Sequence, residues 1–336
     1  MSNDVNDIGW CVASGTRQEI GETLGRHGKH AVQTHLVRSD IWAQVTSTIH
    51  DPVLARVKQR LQRTYPGSLS ELEGMATGLD LPFRDVLAWN CRGDILASVP
   101  DGCTTVQLPG DDITIAHNED GLPFFRGSCF IADVKPADGL AFYAFCYPGS
   151  IPGHTFAWND AGLVMTVNNM RLLDVQAETS RMVICREALS AISIDDTVEK
   201  LKENPNCGGF HMSLAQVGDP RLLSVEYGAG AASVRPVTKA SLHANHALHL
   251  CHHNQQITQS SRDRQQRGTE LLEDEHKDSL EILRDASGAG LPIWRNDPND
   301  PDHENTLATS IFHVSNNQLH WKIYNSKSGD PTYSAR

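Results

Sequence analysis

The hydrophobic period changes at Cys103, and only a chain with separate helical and β-rich stretches accommodates that change. Before it, apolar residues recur at helical spacing; after it come short β-branched and aromatic runs cut by Pro-Gly and Asp-Gly turns. Over residues 17–49, Ile20, Leu24, Ala31, Leu36, Ile41, Trp42 and Val45 mark one face of a helix, with Gly25 or Gly28 as its breaking points. Asp51-Pro52 offers an N-cap and a first-turn proline for a second helix through Leu54, Val57 and Leu61, stopping before Pro66-Gly67. Ser68 and Ser70 start a third, and Leu81-Pro82 a fourth that ends near Cys91. The spacing predicts a mainly helical module over residues 1–102, leading through Pro100-Asp101-Gly102 to Cys103.

The runs 104–108, 113–116, 130–134, 141–147, 155–158 and 163–167 are predicted as a meander of antiparallel strands. Helices return at 179–192 and 194–203, strands at 210–217, 222–227, 232–237 and 242–245, and helices at 260–272 and 279–285. A closing hairpin pairs 307–314 with 319–324 across Asn316-Asn317. This alternation predicts an α+β architecture, two antiparallel sheets between helical layers.

Charge narrows the partners. The formal net charge is -12 and the 29 Lys and Arg are dispersed, which argues against nucleic acid or an anionic membrane as partner. Residues 1–7 are polar and acidic, unlike a secretory signal, and no run approaches the length of a membrane span. The eight cysteines form no CxxC pair, which suits reduced thiols and a cytoplasmic location.

Cys103 opens a strand directly after a glycine, a rigid seat for a nucleophile, although a buried packing cysteine fits the same position. Cleavage of the Gly102–Cys103 bond would make the cysteine N-terminal, so that its own α-amine, with an ordinary pKa of about 7.7–8.0, serves as base. Glycine at 102 leaves that bond unhindered. His117-Asn118-Glu119-Asp120 ends the next strand, and hairpin pairing returns it to Cys103, where Asp120 can hold the new ammonium group; a polar loop is the simpler reading of the same residues. Asn245, at a strand end, offers a neutral N–H donor for an oxyanion, and Asn168 and Asn169 can do similar work or line the substrate cleft.

Taken in order, Gly102-Cys103-Thr104-Thr105, His117-Asn118-Glu119-Asp120, Pro152-Gly153, Asn159-Asp160-Ala161-Gly162-Leu163, Asn168-Asn169 and His243-Ala244-Asn245-His246 resemble the acyl-coenzyme A:6-aminopenicillanate acyltransferase family of cysteine N-terminal nucleophile (Ntn) hydrolases, the peptidase C45 group. The resemblance implies a proenzyme with an αββα sandwich that cleaves itself before Cys103, its fragments 1–102 and 103–336 staying associated. By similarity Cys103 is nucleophile and base, Asp120 supports processing and Asn245 belongs to the oxyanion hole. Related bile-salt and penicillin V hydrolases carry Arg where this chain has His117, which leaves Arg186 and Arg262 as candidates for compensating charge or for a substrate carboxylate; surface pairing is the simpler reading of Arg262. Trp158, Phe156, Phe124 and Phe125 are candidates for an apolar acyl pocket, with core packing as the alternative.

The implied reaction is hydrolysis of a linear amide in a small N-acylated amine or amino acid through a thioester on Cys103, with acyl transfer to an amine as the alternative. No cofactor or metal is required, the partner is a small-molecule amide, and assembly beyond the fragment pair stays open. Two other classes compete. His243, His246, His249, Cys251, His252 and His253 could supply a zinc-dependent hydrolase, though without an HExxH spacing, and a non-enzymatic binding protein would keep an intact chain.

Overall fold

The computed structural model describes residues 7–96, 98–203, 205–274 and 277–335, so of the acidic stretch 1–7 only Asp7 lies among the described residues. The N-terminal part runs β1 (Gly9–Gly15), α1 (Arg17–Thr34), α2 (Asp40–Val45), α3 (Asp51–Thr64), α4 (Pro66–Leu79), α5 (Phe83–Trp89) and α6 (Arg92–Ile95). Then come β2 (Gly102–Leu108), β3 (Ile113–Gly121), β4 (Phe130–Pro136), β5 (Phe142–Cys146), β6 (Phe156–Asn159) and β7 (Leu163–Met170). After α7 (Arg181–Ala188) and α8 (Ile194–Glu203) follow β8 (Gly209–Gln216), β9 (Leu223–Gly228), β10 (Ala231–Pro236) and β11 (Ser241–His243). The chain closes with α9 (Gln259–Leu271), α10 (Ser279–Leu283), β12 (Asn305–Val314), β13 (Leu319–Tyr324) and β14 (Tyr333–Ala335).

These strands build two sheets, one of eight strands in the order β1-β4-β5-β6-β7-β8-β9-β10 and one of six in the order β11-β2-β3-β12-β13-β14. The expected single meander is therefore split: β2 and β3 belong to the second sheet, and the chain crosses to the first through the turn Pro123–Phe125. Both β2 and β3 are buried on both faces, so alternation gives no cue to which sheet they join. The sheets face each other, as Gln107 of β2 donates to Ser213 of β8 at 2.8 Å and Thr105 donates to Asn168 of β7 at 2.7 Å. Outside the six-stranded sheet, Val106, Ala116, Leu242 and Ile311 pack with Leu271, Ile282, Leu283 and Ile293 from α9, α10 and the segment after them. Helices α1, α7 and α8 cover the other sheet, giving an αββα sandwich.

The N-terminal third is not a separate module. Its β1 pairs in parallel with β4, Gly9 to Phe130 through Gly15 to Pro136, and its helices share the main core with both sheets. Helix α1 passes unbroken through Gly25 and Gly28. Gly21 and Gly25 instead let it lie against α4, since a Cβ at either would come within 1.8 or 2.5 Å of a backbone oxygen. The helix stops at Thr34, and α2 restarts where Ser39 Oγ accepts from the Trp42 N–H at 3.3 Å. Helix α3 stops at Thr64, before Pro66 as expected, and Pro66 itself begins α4, ahead of Ser68, because its missing N–H has no partner to lose in a first turn. Asp51 likewise sits inside the first turn of α3, with His50 at the cap. Among the described residues no helix is long and apolar enough to cross a membrane.

Candidate active site

The β2–β3 register sets the geometry. Gly102 pairs with Asp120, Cys103 with Glu119, Thr104 with Asn118 and Thr105 with His117. Because strand residues alternate between faces, Cys103, Thr105, His117 and Glu119 point between the sheets, whereas Asn118 and Asp120 point toward the outer helices. Asn118 donates to Leu283 O at 2.8 Å beneath α10. Gly102 is required for close approach: a Cβ there would meet the Glu304 carboxylate at 2.3 Å and Asp120 Cβ at 3.3 Å.

On the inner face, Cys103 Sγ lies 3.7 Å from Glu119 Oε2, which is also 3.0 Å from His117 Nε2. The Tyr147 hydroxyl donates to Glu119 Oε1 at 2.5 Å. All four side chains are buried, with Cys103 only 3 % exposed in this uncut chain. Burial pushes the Cys103 thiol well above its usual range, the Glu119 and Asp120 carboxyls push it further, and the Asn169 backbone partly opposes them. Burial raises Glu119 well above the usual carboxylate range, reinforced by the charges of Asp101 and Asp120. The same desolvation drops His117 to about 3, so its ring is neutral.

The backbone of Cys103 is clamped from the other side. Its N–H donates to Asn245 Oδ1 at 2.9 Å, and its carbonyl accepts from Arg264 of α9. Arg264 also donates to Thr104 Oγ1 at 2.8 Å and to Asn245 Oδ1 at 2.6 Å. The Asn245 amide donates to Asn169 O at 3.0 Å, while Asn169 Nδ2 holds Asp101 O at 3.1 Å, just before the Gly102–Cys103 bond. Asn168 accepts from Thr105 and donates to His243 O at 3.0 Å.

Asp120 belongs to a charged outer layer. Thr306 donates to its Oδ1 at 2.6 Å, and Oδ2 is buried without a partner. Burial raises its pKa, and the guanidiniums of Arg264 and Arg295 pull it back. Arg295 pairs with Asp300 and Glu304, and Glu304 in turn pairs with Arg171 at 2.8 Å.

Some expected residues lie elsewhere. Arg262 is exposed and donates to Ile257 O at 2.9 Å; the arginine that reaches the nucleophile is Arg264, two positions on. Arg186 is buried against Glu71 at 3.0 Å and lies over the Phe142 ring, tying α7 to α4 and β5. Trp158 packs among Tyr143, Phe312 and Trp321, and half-buried Phe124 meets buried Phe125 edge-on, as packing residues do. Phe156 reaches the site's edge, 6.1 Å from the His117 ring.

Three histidines of the cluster near the C-terminal end of β11, His243, His246 and His249, have protein partners. His243 pairs with Glu226 at 2.9 Å and stacks on His211 at 3.6 Å, and His249 lies 3.3 Å from Ser224. Among the described residues, the donor atoms close enough to share a metal ion are those of Cys103, His117 and Glu119, within 4.8 Å of one another.

Cys103 thus lies near the start of β2 between the two sheets, its backbone held by an asparagine and an arginine. The chain matches the model of the acyl-coenzyme A:6-aminopenicillanic acid acyl-transferase family over residues 107–327, and it belongs to that family, whose members are amidohydrolases and acyltransferases of the N-terminal-nucleophile type. It is 24% identical over 354 residues to the beta-alanyl-dopamine/carcinine hydrolase of Drosophila melanogaster, covering 90% of this chain and 89% of that protein. Among solved structures, the conjugated bile acid hydrolase of Clostridium perfringens aligns over 66% of this chain and 89% of its own at 12% identity and a TM-score of 0.41. Penicillin V acylase of Agrobacterium tumefaciens aligns over 66% and 82% at 13% identity and a TM-score of 0.39.

Proposed function

We propose that this chain is a proenzyme that cuts its own Gly102–Cys103 bond and then hydrolyses the linear amide of a small N-acylated amine. The observation that carries this reading is the seat of Cys103, a strand-opening thiol whose backbone is held by Asn245 and Arg264 while its sulfur faces a carboxyl group. Once free, its α-amine is the base, and the unpartnered Asp120 Oδ2 is a ready acceptor for the new N–H groups. The thiolate attacks the substrate carbonyl, and Asn245 supports the oxyanion. The amine protonates the leaving nitrogen, and water resolves the thioester. An amine in place of water gives acyl transfer, the alternative that the family description favours.

Fragments 1–102 and 103–336 are held together in this reading by the β1–β4 pairing and by Arg186 with Glu71. Eight free cysteines, seven of them buried, support a reducing, cytoplasmic compartment. The relative in Drosophila makes N-β-alanyl amines the first substrates to try.

The test is intact mass and N-terminal sequencing of wild type and Cys103→Ala, followed by an amide panel with and without an acceptor amine. Two wild-type fragments, one beginning at Cys103, and an uncut, inactive variant are the expected result. A wild-type chain that stays whole through prolonged incubation sinks the reading.

A further inference from the structure

The self-cleavage reading leaves one chemical problem unsolved. Before the cut, the nitrogen of Cys103 is an amide, donating to Asn245, and cannot accept a proton. Some other group must take the thiol proton in the first turnover. The nearest candidate is Glu119 Oε2, 3.7 Å from the sulfur and on the same face of the hairpin. Asp120, the carboxylate that the sequence singles out, faces the opposite layer.

Hydrogen-bond directions behind Glu119 run in one sense. Asn168 Nδ2 donates to His243 O at 3.0 Å, which orients the amide and leaves Oδ1 as an acceptor. The Thr105 hydroxyl donates to that oxygen at 2.7 Å, so its own oxygen accepts from His117 Nδ1–H at 2.8 Å. A neutral imidazole with its proton on Nδ1 presents a bare lone pair at Nε2. The 3.0 Å contact between Nε2 and Glu119 Oε2 therefore carries the carboxyl proton, and Tyr147 holds the other oxygen. Cys103, Glu119, His117, Thr105 and Asn168 form one hydrogen-bonded chain, in which Asn168 fixes the direction.

We propose that this Glu119–His117 relay is the base of the uncut chain, resting on the self-cleavage reading above. The thiol proton passes to Glu119 Oε2 as Glu119 gives its own proton to His117 Nε2. The sulfur bonds to the Gly102 carbonyl carbon. The C–N bond breaks, and the departing Cys103 nitrogen takes a proton from Glu119, which recovers one from His117. Water then hydrolyses the Gly102 thioester, one of its protons going to the sulfur and the other to the α-amine. This leaves a carboxylate at Gly102, a free thiol at Cys103 and an ammonium group that loses its proton to solvent. From then on the α-amine serves as base. Glu119 touches the reacting sulfur and is catalytic for the cut; His117 acts through it and is a positioning residue.

The experiment follows freshly translated wild-type, Glu119→Gln and His117→Asn chains by mass, with and without hydroxylamine, which releases a thioester but not an amide. The expected result is cleavage on the order of 100-fold slower in both variants, with no release by hydroxylamine, because the block precedes the thioester. His117→Asn should also gain a pH dependence that wild type lacks, about tenfold faster per unit of rising pH, as Glu119 must then ionise to bulk solvent. The titratable groups whose charges act on Glu119 besides His117 are Cys103, Tyr147 and Cys129 near its face and Asp101 and Asp120 beyond it, all present in both chains. Cleavage of either variant at the wild-type rate, or release of its uncut chain by hydroxylamine, overturns the relay. Should Glu119→Gln misfold by circular dichroism, the His117→Asn pH profile decides: a profile as flat as wild type overturns the proposal. A wild-type chain that never cuts removes the self-cleavage reading itself, a pattern distinct from any variant result.

Discussion

Burial raises the pKa of the carboxyl on each face of the β2–β3 hairpin, but the two carboxyls have different neighbours. On the outer face, Asp120 lies in the field of Arg264 and Arg295, which stabilise its charge against burial. On the inner face, Glu119 has as hydrogen-bond partners a neutral imidazole, a phenol and a thiol, and burial raises its proton affinity unopposed by any guanidinium. Adjacent residues on one strand thus differ in the job they can do. A carboxyl flanked by guanidiniums suits a charge network that receives a new ammonium group, and one among an imidazole, a phenol and a thiol suits proton transfer.

The largest break in this comparison comes from the nucleophile that both faces serve. Cys103→Ala is expected to abolish chain cutting and amide hydrolysis together, read by intact mass and by product release. Next is Arg264→Met, which keeps volume but takes a guanidinium from beside Asp120 and donors from Cys103 O and Asn245 Oδ1. Removing one partner of a buried charged network costs about 3 kcal/mol, so denaturant unfolding should shift by that amount and cleavage should slow. An unchanged midpoint would mean that the outer face does not depend on its arginines.

Much of the architecture is legible in the sequence because most strands after Cys103 are short, β-branched and bounded by turn residues. What the sequence leaves open is pairing. The turn Pro109-Gly110-Asp111-Asp112 is visible, yet Leu108 pairs with Thr114 rather than Ile113, and a one-residue slip exchanges the two faces of a strand. Glu119 and Asp120 would trade faces under that slip, so the turn alone does not tell which carboxyl meets the sulfur. β1 is missed because its apolar positions are interrupted by exposed Trp10 and Val12 at a sheet edge. Arg264 had a signal: Ser260, Ser261, Arg264, Gly268 and Leu271 make the buried stripe of α9 at helical spacing, and Arg262 lies off it.

A third carboxyl, Glu226 on β9, extends the comparison to a group held by hydrogen bonds. Burial alone would raise its pKa, but the hydrogen bond from His243 and the N–H groups of Leu248, His249 and Leu250 outweigh it and bring it to about 2. A carboxyl whose folded pKa is lowered contributes stability above its unfolded pKa and loses it as pH falls through the folded one. From an ordinary value of about 4.3, Glu226 should contribute about 3 kcal/mol at neutral pH. That contribution should fade between about pH 4.3 and 2, and Glu226→Gln should flatten this limb of the stability curve measured by denaturant titration.

The smallest effect expected is at Arg262, and it separates the two readings of α9 most sharply. If the helix contributed a solvent-side cation to substrate, Arg262→Ala would raise KM for a carboxylate-bearing amide. The structure places its guanidinium on the exposed side, bonded to Ile257 O, while Arg264 on the stripe reaches Cys103. Substitution at an exposed position of this kind stays within about 0.5 kcal/mol, so the variant should unfold, cut itself and turn over amides as wild type does. A selective rise in KM with unchanged stability and cutting would place the substrate at the exposed edge of α9 instead of between the sheets.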